Sequence, residues 1–212
     1  MPHLIRRIIC LCIGMFIMSI GIAFSITSDL GTSPVSSAPY VLSLFTPASL
    51  AITTIIVNAI IILLQIVILR KNFKLVKLIQ VPVIILFGYL CDLGVWLLRG
   101  VSYNSYWQQW ILCILGIVIL AFGVSVEMIS RISTLAGEGL ALAISQVTGL
   151  KFGNAKVIVD VSLVVSAVVL SLIFSRSIQG VREGTVAAAV CVGLITKQYA
   201  KPLAKFEQKF LC

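Results

Sequence analysis

The chain has 212 residues, 60% hydrophobic and only 11% charged, with a mean hydropathy of +1.15; this excludes an ordinary soluble domain and points to a polytopic membrane protein. Its formal net charge of +9 sits at the ends of apolar runs, with no aromatic-interleaved basic patch, so the expected counter-charge is an anionic inner leaflet and not nucleic acid. One histidine, His3, and six cysteines without a CxxC pair argue against a metal site, a disulfide frame or a cofactor.

In chain order, Arg6 and Arg7 precede an apolar run over 8–26. That run is longer than the roughly 7–15 residues of a signal-peptide core, so it is read as an uncleaved first span. Apolar runs predict helices near 8–27, 50–69, 76–98, 107–128, 155–175 and 184–200, in a single all-α membrane domain with six transmembrane helices. Two segments between them, Asp29–Ser43 and Ser133–Ser145, are too short to cross and rich in Gly, Ser, Thr or Pro. They read as re-entrant half-helices or, alternatively, as surface caps.

In the first of these, Gly31 allows a sharp turn, Thr32 or Ser33 can cap a helix, and Pro34 fits its first turn. In the second, Gly137 and Gly139 flank Glu138, which suits either the dipole of its own helix or a cation or proton in a cavity. With the N-terminus inside, 13 Lys and Arg residues fall on the inner side and only Arg99, Arg176 and Arg182 on the outer, which predicts that both termini are cytoplasmic. Trp96, Tyr103, Tyr106, Trp107 and Trp110 gather around one outer loop as an interfacial belt. Lys197, Lys201, Lys205 and Lys209 recur every fourth residue, as in a helix lying on the inner leaflet.

Shifting the chain by 102 residues brings Gly14 onto Gly116, Gly21 onto Gly123, Thr32 onto Thr134 and Ser43 onto Ser145, and aligns Asn58 with Asp160. Each half (about 1–101 and 102–212) reads span, broken segment, span, span. An odd number of spans per half predicts two inverted three-helix repeats, a recurring design of secondary transporters; a duplication kept only for packing is the alternative.

Four acids interrupt the apolar runs: Asp92, Glu127, Glu138 and Asp160. Each costs about 2.5–3.5 kcal/mol near a bilayer centre, so they are expected to face an interior or a watery cavity. Lys156 with Asp160, and Glu127 with Arg131, are four residues apart and can neutralise one another locally. Asp92 and Arg182, the latter beside Glu183, are expected to pair as an outer gate or a structural bridge. Gln65 and Gln80 are expected to join helices by hydrogen bonds.

The set Asp29-Leu30-Gly31 with Pro34, Phe87-Gly88 with Asp92, Gly137-Glu138-Gly139, Lys156 with Asp160, and Arg182-Glu183-Gly184-Thr185 resembles the pattern of the YczE/YyaS-like family, related to YitT-type integral membrane proteins of bacteria. Val35 and Ala136 depart from it, since relatives often carry an aromatic residue and a proline there. The resemblance implies a bacterial inner (cytoplasmic) membrane location and supplies no settled activity.

The residues themselves favour a small secondary transporter or permease for an unidentified small molecule or ion. Thr32, Ser33, Pro34, Asn58, Gly137, Glu138, Gly139, Lys156 and Asp160 would line its central site, with a homodimer expected for so short a carrier. A non-transporting membrane scaffold or regulatory partner is the alternative. No Ser/His pair, metal-ligand cluster or carboxylate pair on adjacent turns points to an enzyme.

Overall fold

The computed structural model describes residues 2–210, with side chains for all but residues 2, 3, 75, 200, 201, 204–206 and 208–210. Eight α-helices follow one another: α1 (Pro2–Thr27), α2 (Pro34–Phe45), α3 (Leu50–Leu69), α4 (Gln80–Leu97), α5 (Tyr106–Ser130), α6 (Ala136–Thr148), α7 (Phe152–Ser175) and α8 (Glu183–Phe210). Two short 3-10 turns, Arg70–Asn72 and Leu75–Ile79, link α3 to α4, and no strand occurs among the described residues. The broken segments are the short helices α2 and α6.

Five helices are long and apolar enough to cross a membrane: Leu4–Thr27, Leu50–Asn72, Val76–Leu97, Tyr106–Ser130 and Phe152–Ser175. The predicted sixth lies within α8, which is not among them. Its apolar stretch is short, bounded by Glu183 on one side and Lys197 on the other, and the remainder of the 28-residue helix is lysine-rich. The lysine repeat at Lys201, Lys205 and Lys209 falls on side chains outside those described.

Large apolar side chains cover the outside. Ile52, Ile56, Ile60 and Val67 on α3, and Val157, Val161, Val165 and Val169 on α7, are exposed, whereas Ser28, Thr32, Asn58, Gln65 and Glu127 are buried. Apolar outside and polar inside is the arrangement that suits hydrocarbon as the solvent. Tyr106, Trp107 and Trp96 are exposed around the α4–α5 connection, and Tyr106 meets Trp110 edge-on with ring centroids 6.3 Å apart.

At the centre α1 runs along α5. A Cβ on Gly14 would lie 2.8 Å from the Glu127 nitrogen, and one on Gly21 2.5 Å from that of Leu120. From the other side, a Cβ on Gly116 would lie 2.8 Å from Gly21 O, and one on Gly123 2.6 Å from the Met18 nitrogen. All of these neighbours are backbone, so a side chain at any of the four positions would push the helices apart. Higher numbers on α1 meet lower numbers on α5, so the two run antiparallel. Around this pair, α4 packs on α1 and α8 on α5; α2 lies between α3 and α7, and α6 likewise contacts α3 and α7.

Gly21→Ala is therefore expected to destabilise the protein by about 1–3 kcal/mol, the cost of overpacking a close contact. Gly153→Ala, where a Cβ meets nothing within 4 Å, should leave stability unchanged or raised. Thermal melts in detergent followed by circular dichroism compare the two, and equal melts would show that the close approach contributes nothing.

Candidate functional site

Between α1 and α2 the chain turns through two residues of positive φ, Asp29 at 57° and Gly31 at 98°. Gly31 is required by space as well as by backbone freedom, because a Cβ there would strike Thr185 Oγ1 and lie 2.8 Å from the Arg182 nitrogen. The start of α8 holds this turn: the Gly184 N–H donates to Leu30 O at 2.8 Å, and Arg182 Nη1 donates to Asp29 O at 3.0 Å. Thr32 is fully buried beyond it. Ser33 takes the N-cap position of α2 and Pro34 the first turn, but neither Thr32 nor Ser33 caps the helix through its hydroxyl. Ser33 Oγ lies 2.9 Å from Ser36 Oγ instead.

Two expected ion pairs are replaced. Arg182 stands 3.6 Å from Asp29 Oδ2 and 3.5 Å from Glu183 Oε2, and it does not bridge to Asp92. Asp92 Oδ1 accepts the Ala51 N–H at 2.9 Å, because the first turn of α3 offers N–H groups with no partner in their own helix. Arg131 pairs with Glu207 of α8 and not with Glu127. It ends α5 in the left-handed conformation, φ 52°, which turns its side chain off the face that Glu127 occupies.

The first turns of α2 and α6 meet: a Cβ on Gly137 would lie 3.1 Å from Val35 Cγ2. Gly139, one turn into α6, is pressed against two side chains, since its Cβ would lie 2.8 Å from both Gln65 Oε1 and Gln80 Nε2. Gln65 Nε2 in turn donates to Ala136 O at 3.0 Å and to Gln80 Oε1 at 3.2 Å, the helix-joining role expected of this pair. Gln65 Oε1 is buried without a partner.

Two polar groups flank this junction. The first is neutral. Ser36, Thr54 and Asn58, with Val35, Phe87 and Cys91, line a cavity of about 10 Å³. Asn58 Nδ2 donates to Thr54 O at 2.8 Å, while its Oδ1 is buried without a partner. Leu50 separates this cavity from an open cleft of about 520 Å³ lined by Tyr40, Ser49, Asp92, Trp96 and Arg99.

The second group is ionisable. Lys156 Nζ lies 2.9 Å from Asp160 Oδ1 on α7, and Glu138 of α6 is within electrostatic reach of both. Glu127 of α5 is within reach of Glu138 and Lys156. It is 1% exposed, and neither of its carboxylate oxygens has a hydrogen-bond partner. The Leu135 N–H approaches it without reaching hydrogen-bond geometry. No three His, Cys, Asp or Glu side chains among those described converge on a point that would hold a metal ion.

Thus Pro34, Gly137, Glu138, Gly139, Lys156 and Asp160 gather about the meeting helices, with Asn58 on the neutral side. Asp92 and Arg182 stand apart from each other. The sequence reading counted Glu127 among the acids expected to face an interior or a cavity but left it out of the central site, with neutralisation by Arg131 as its alternative, and did not single out Ser36 or Thr54. The 102-residue offset held the missing signal, because it aligns Ser36 with Glu138 and Thr54 with Lys156.

A family of unknown function (DUF6198) matches residues 5–201 of the chain. No curated protein and no solved structure matches it.

If Asp92 acts as a cap, Asp92→Ala should cost about 0.5–2 kcal/mol, the usual loss for an N-terminal cap. Asp92→Asn, which keeps the accepting oxygen, should cost far less. Thermal unfolding of both variants decides the point, since an ion-pair role would make the asparagine as damaging as the alanine.

Proposed function

The chain belongs to a family of unknown function (DUF6198), and from its own residues we propose a small secondary transporter built from two inverted repeats, with its substrate site where α2 and α6 meet. The observation that carries this reading is the contact of two short-helix N-termini, Val35 on Gly137, beside buried polar side chains that lack partners. Secondary transporters use such half-helix termini at the membrane midplane to hold a substrate or coupling ion.

The repeat has support beyond the sequence offset. α2 starts at Pro34 and α6 at Ala136, α3 at Leu50 and α7 at Phe152, each pair 102 residues apart. Contacts are reciprocal. Gly14 faces Gly123 and Gly21 faces Gly116, so each glycine meets the counterpart of the other. Val35 meets its own counterpart, Gly137. The α1–α4, α2–α3 and α2–α7 packings are matched by α5–α8, α6–α7 and α3–α6, whereas the α3–α4 packing has no α7–α8 counterpart of similar extent. Because α1 and α5 run antiparallel, the axis relating the halves crosses them, and the repeats are inverted.

By this relation α8 is the counterpart of α4 and the sixth span, which returns both termini to one side. The lysine and arginine distribution makes that side cytoplasmic. The resemblance to YczE/YyaS-like proteins agrees with a bacterial inner membrane. Val35 lines the same small cavity as Leu50, Thr54 and Asn58 of α3. On this reading α2 starts inside the apolar layer and runs out to one face, and α6 runs to the other.

The central site has a neutral side, Ser36, Thr54 and Asn58, and an ionisable side, Glu127, Glu138, Lys156 and Asp160. The neutral side, reached from the open cleft past Leu50, is the better place for a substrate. The ionisable side suits a coupling ion.

A thermal-shift screen of the detergent-purified protein against metabolites and ions tests the reading. A true substrate at 100 times its Kd should stabilise the fold by about 2.7 kcal/mol. The increment should vanish in Asn58→Ala and shrink in Asp160→Asn, each measured against the variant's own melt. A blank panel would turn the reading towards a scaffold or regulatory partner. Orientation is tested separately: a C-terminal fluorescent-protein fusion should glow, and an alkaline phosphatase fusion at the same point should be inactive.

A further inference from the structure

We propose that Glu127 and Glu138 together hold one exchangeable proton, making them the coupling-ion site of the carrier reading on which this role rests. Glu127 is a side chain that packing alone does not explain. It is 1% exposed, sits where α5 presses on Gly14 of α1, and completes no hydrogen bond with either oxygen, the Leu135 N–H being the donor that approaches it. An ionised carboxylate in that state costs several kcal/mol. Glu138 and Lys156 are the charged groups within electrostatic reach of it, and Lys156 is already committed to Asp160 at 2.9 Å.

Charge balance fixes the number of protons. Three carboxyls and one ammonium form a chain of charges, Glu127 within electrostatic reach of Glu138 and Lys156, and Glu138 within reach of Lys156 and Asp160. The facing N-termini of α2 and α6 each contribute roughly half a positive charge, together about one more. One positive charge is still wanting, and a proton on one or other of the two glutamates supplies it.

The remaining titratable groups around Glu127 are accounted for element by element. On α1, Cys10 donates its thiol to Val126 O at 3.4 Å, and Arg6 and Arg7 lie about two turns from Gly14 towards the N-terminus. On α8, Glu207 pairs with Arg131. Gln65 and Gln80, from α3 and α4, close the pocket without charge.

The fold does not require charge at these positions. Under the repeat, Glu127 corresponds to Ser25 and Glu138 to Ser36. Their hydroxyls are satisfied locally, Ser25 Oγ donating to Gly21 O at 3.1 Å and Ser36 Oγ lying 2.9 Å from Ser33 Oγ. The ionisable half is the less enclosed one, the Lys156 and Asp160 side chains being 28% and 17% exposed, and on this proposal the proton passes between Glu138 and water by way of Asp160. The carboxylate that gains the proton becomes the neutral acid, and water supplies or receives the proton at the exposed end.

The test is pH-difference infrared spectroscopy of the purified full-length protein in lipid, with no compound added. The wild type should show, apart from the bands of the other carboxyls, a separate protonated-carboxyl band that titrates on its own and shifts in heavy water. Glu127→Gln and Glu138→Gln should each abolish that separate band while helical content stays the same. Absence of the separate band in the wild type, or its survival in Glu127→Gln, overturns the proposal. Should Glu127→Gln fail to fold, Glu127→Asp takes its place; it keeps the acid but shortens its reach, so the band must shift, and an unshifted band overturns the proposal. The spectrum needs no substrate, so its failure leaves the ligand screen to judge the carrier reading, and a blank screen leaves the band unaffected.

Discussion

Backbone touches backbone between α1 and α5, and the other elements take their positions from that contact. Four glycines on the facing sides, Gly14, Gly21, Gly116 and Gly123, leave room for neither helix to back away by the width of a side chain. In hydrocarbon there is no hydrophobic drive to pair helices, so close van der Waals packing between small residues has to hold them. The same contact fixes where α1 ends at Thr27 and α5 at Ser130, and hence where the two extended connections to α2 and α6 begin. Those connections turn inward because their neighbours hold them. Gly31 fits under Thr185 on one side, and Gln65 takes hold of Ala136 on the other.

Much of this was legible in the chain because membrane helices declare themselves by length and hydropathy, and because Pro34 and the Gly137-Glu138-Gly139 run mark helix starts. The glycine offset of 102 residues was legible too, although few identities accompany it. Lateral neighbours were not legible. Asp92 and Arg182 were paired by their expected depth near the outer side, but depth in a membrane says nothing about which helix lies alongside. The free amide of Ala51 and the carbonyl of Asp29 proved nearer than either side chain was to the other. The Glu127–Arg131 spacing misled for a local reason: helical spacing implies a shared face only while the helix continues, and Arg131 has already left it at φ 52°. α8 fell short of the apolar threshold because it combines a short apolar stretch with a basic tail in one continuous helix.

The polar interior explains why α2 and α6 are short. A helix that crossed the layer there would satisfy its own backbone and bury apolar side chains. A helix that begins at the junction leaves its first N–H groups free and needs polar company. On the α6 side that company is Gln65 and Gln80 together with Glu138. On the α2 side it is the Ser33–Ser36 pair with Asn58 beside it.

The inequality of the two halves follows from the same electrostatics. Two helix N-termini together present about one positive charge, enough to favour one excess carboxylate but not two sets of them. If Ser25, Ser36, Thr54 and Asn58 were replaced by Glu, Glu, Lys and Asp to match the other half, three further carboxyls and only one further ammonium would enter the same buried volume with no additional dipole. Each uncompensated carboxylate would then cost several kcal/mol or take up a proton of its own, and the site would lose any single well-defined charged state. Neutral hydroxyls and an amide on one side, with ionisable groups on the other, are the arrangement in which the proposed proton site keeps a single charged state beside a neutral cavity of about 10 Å³.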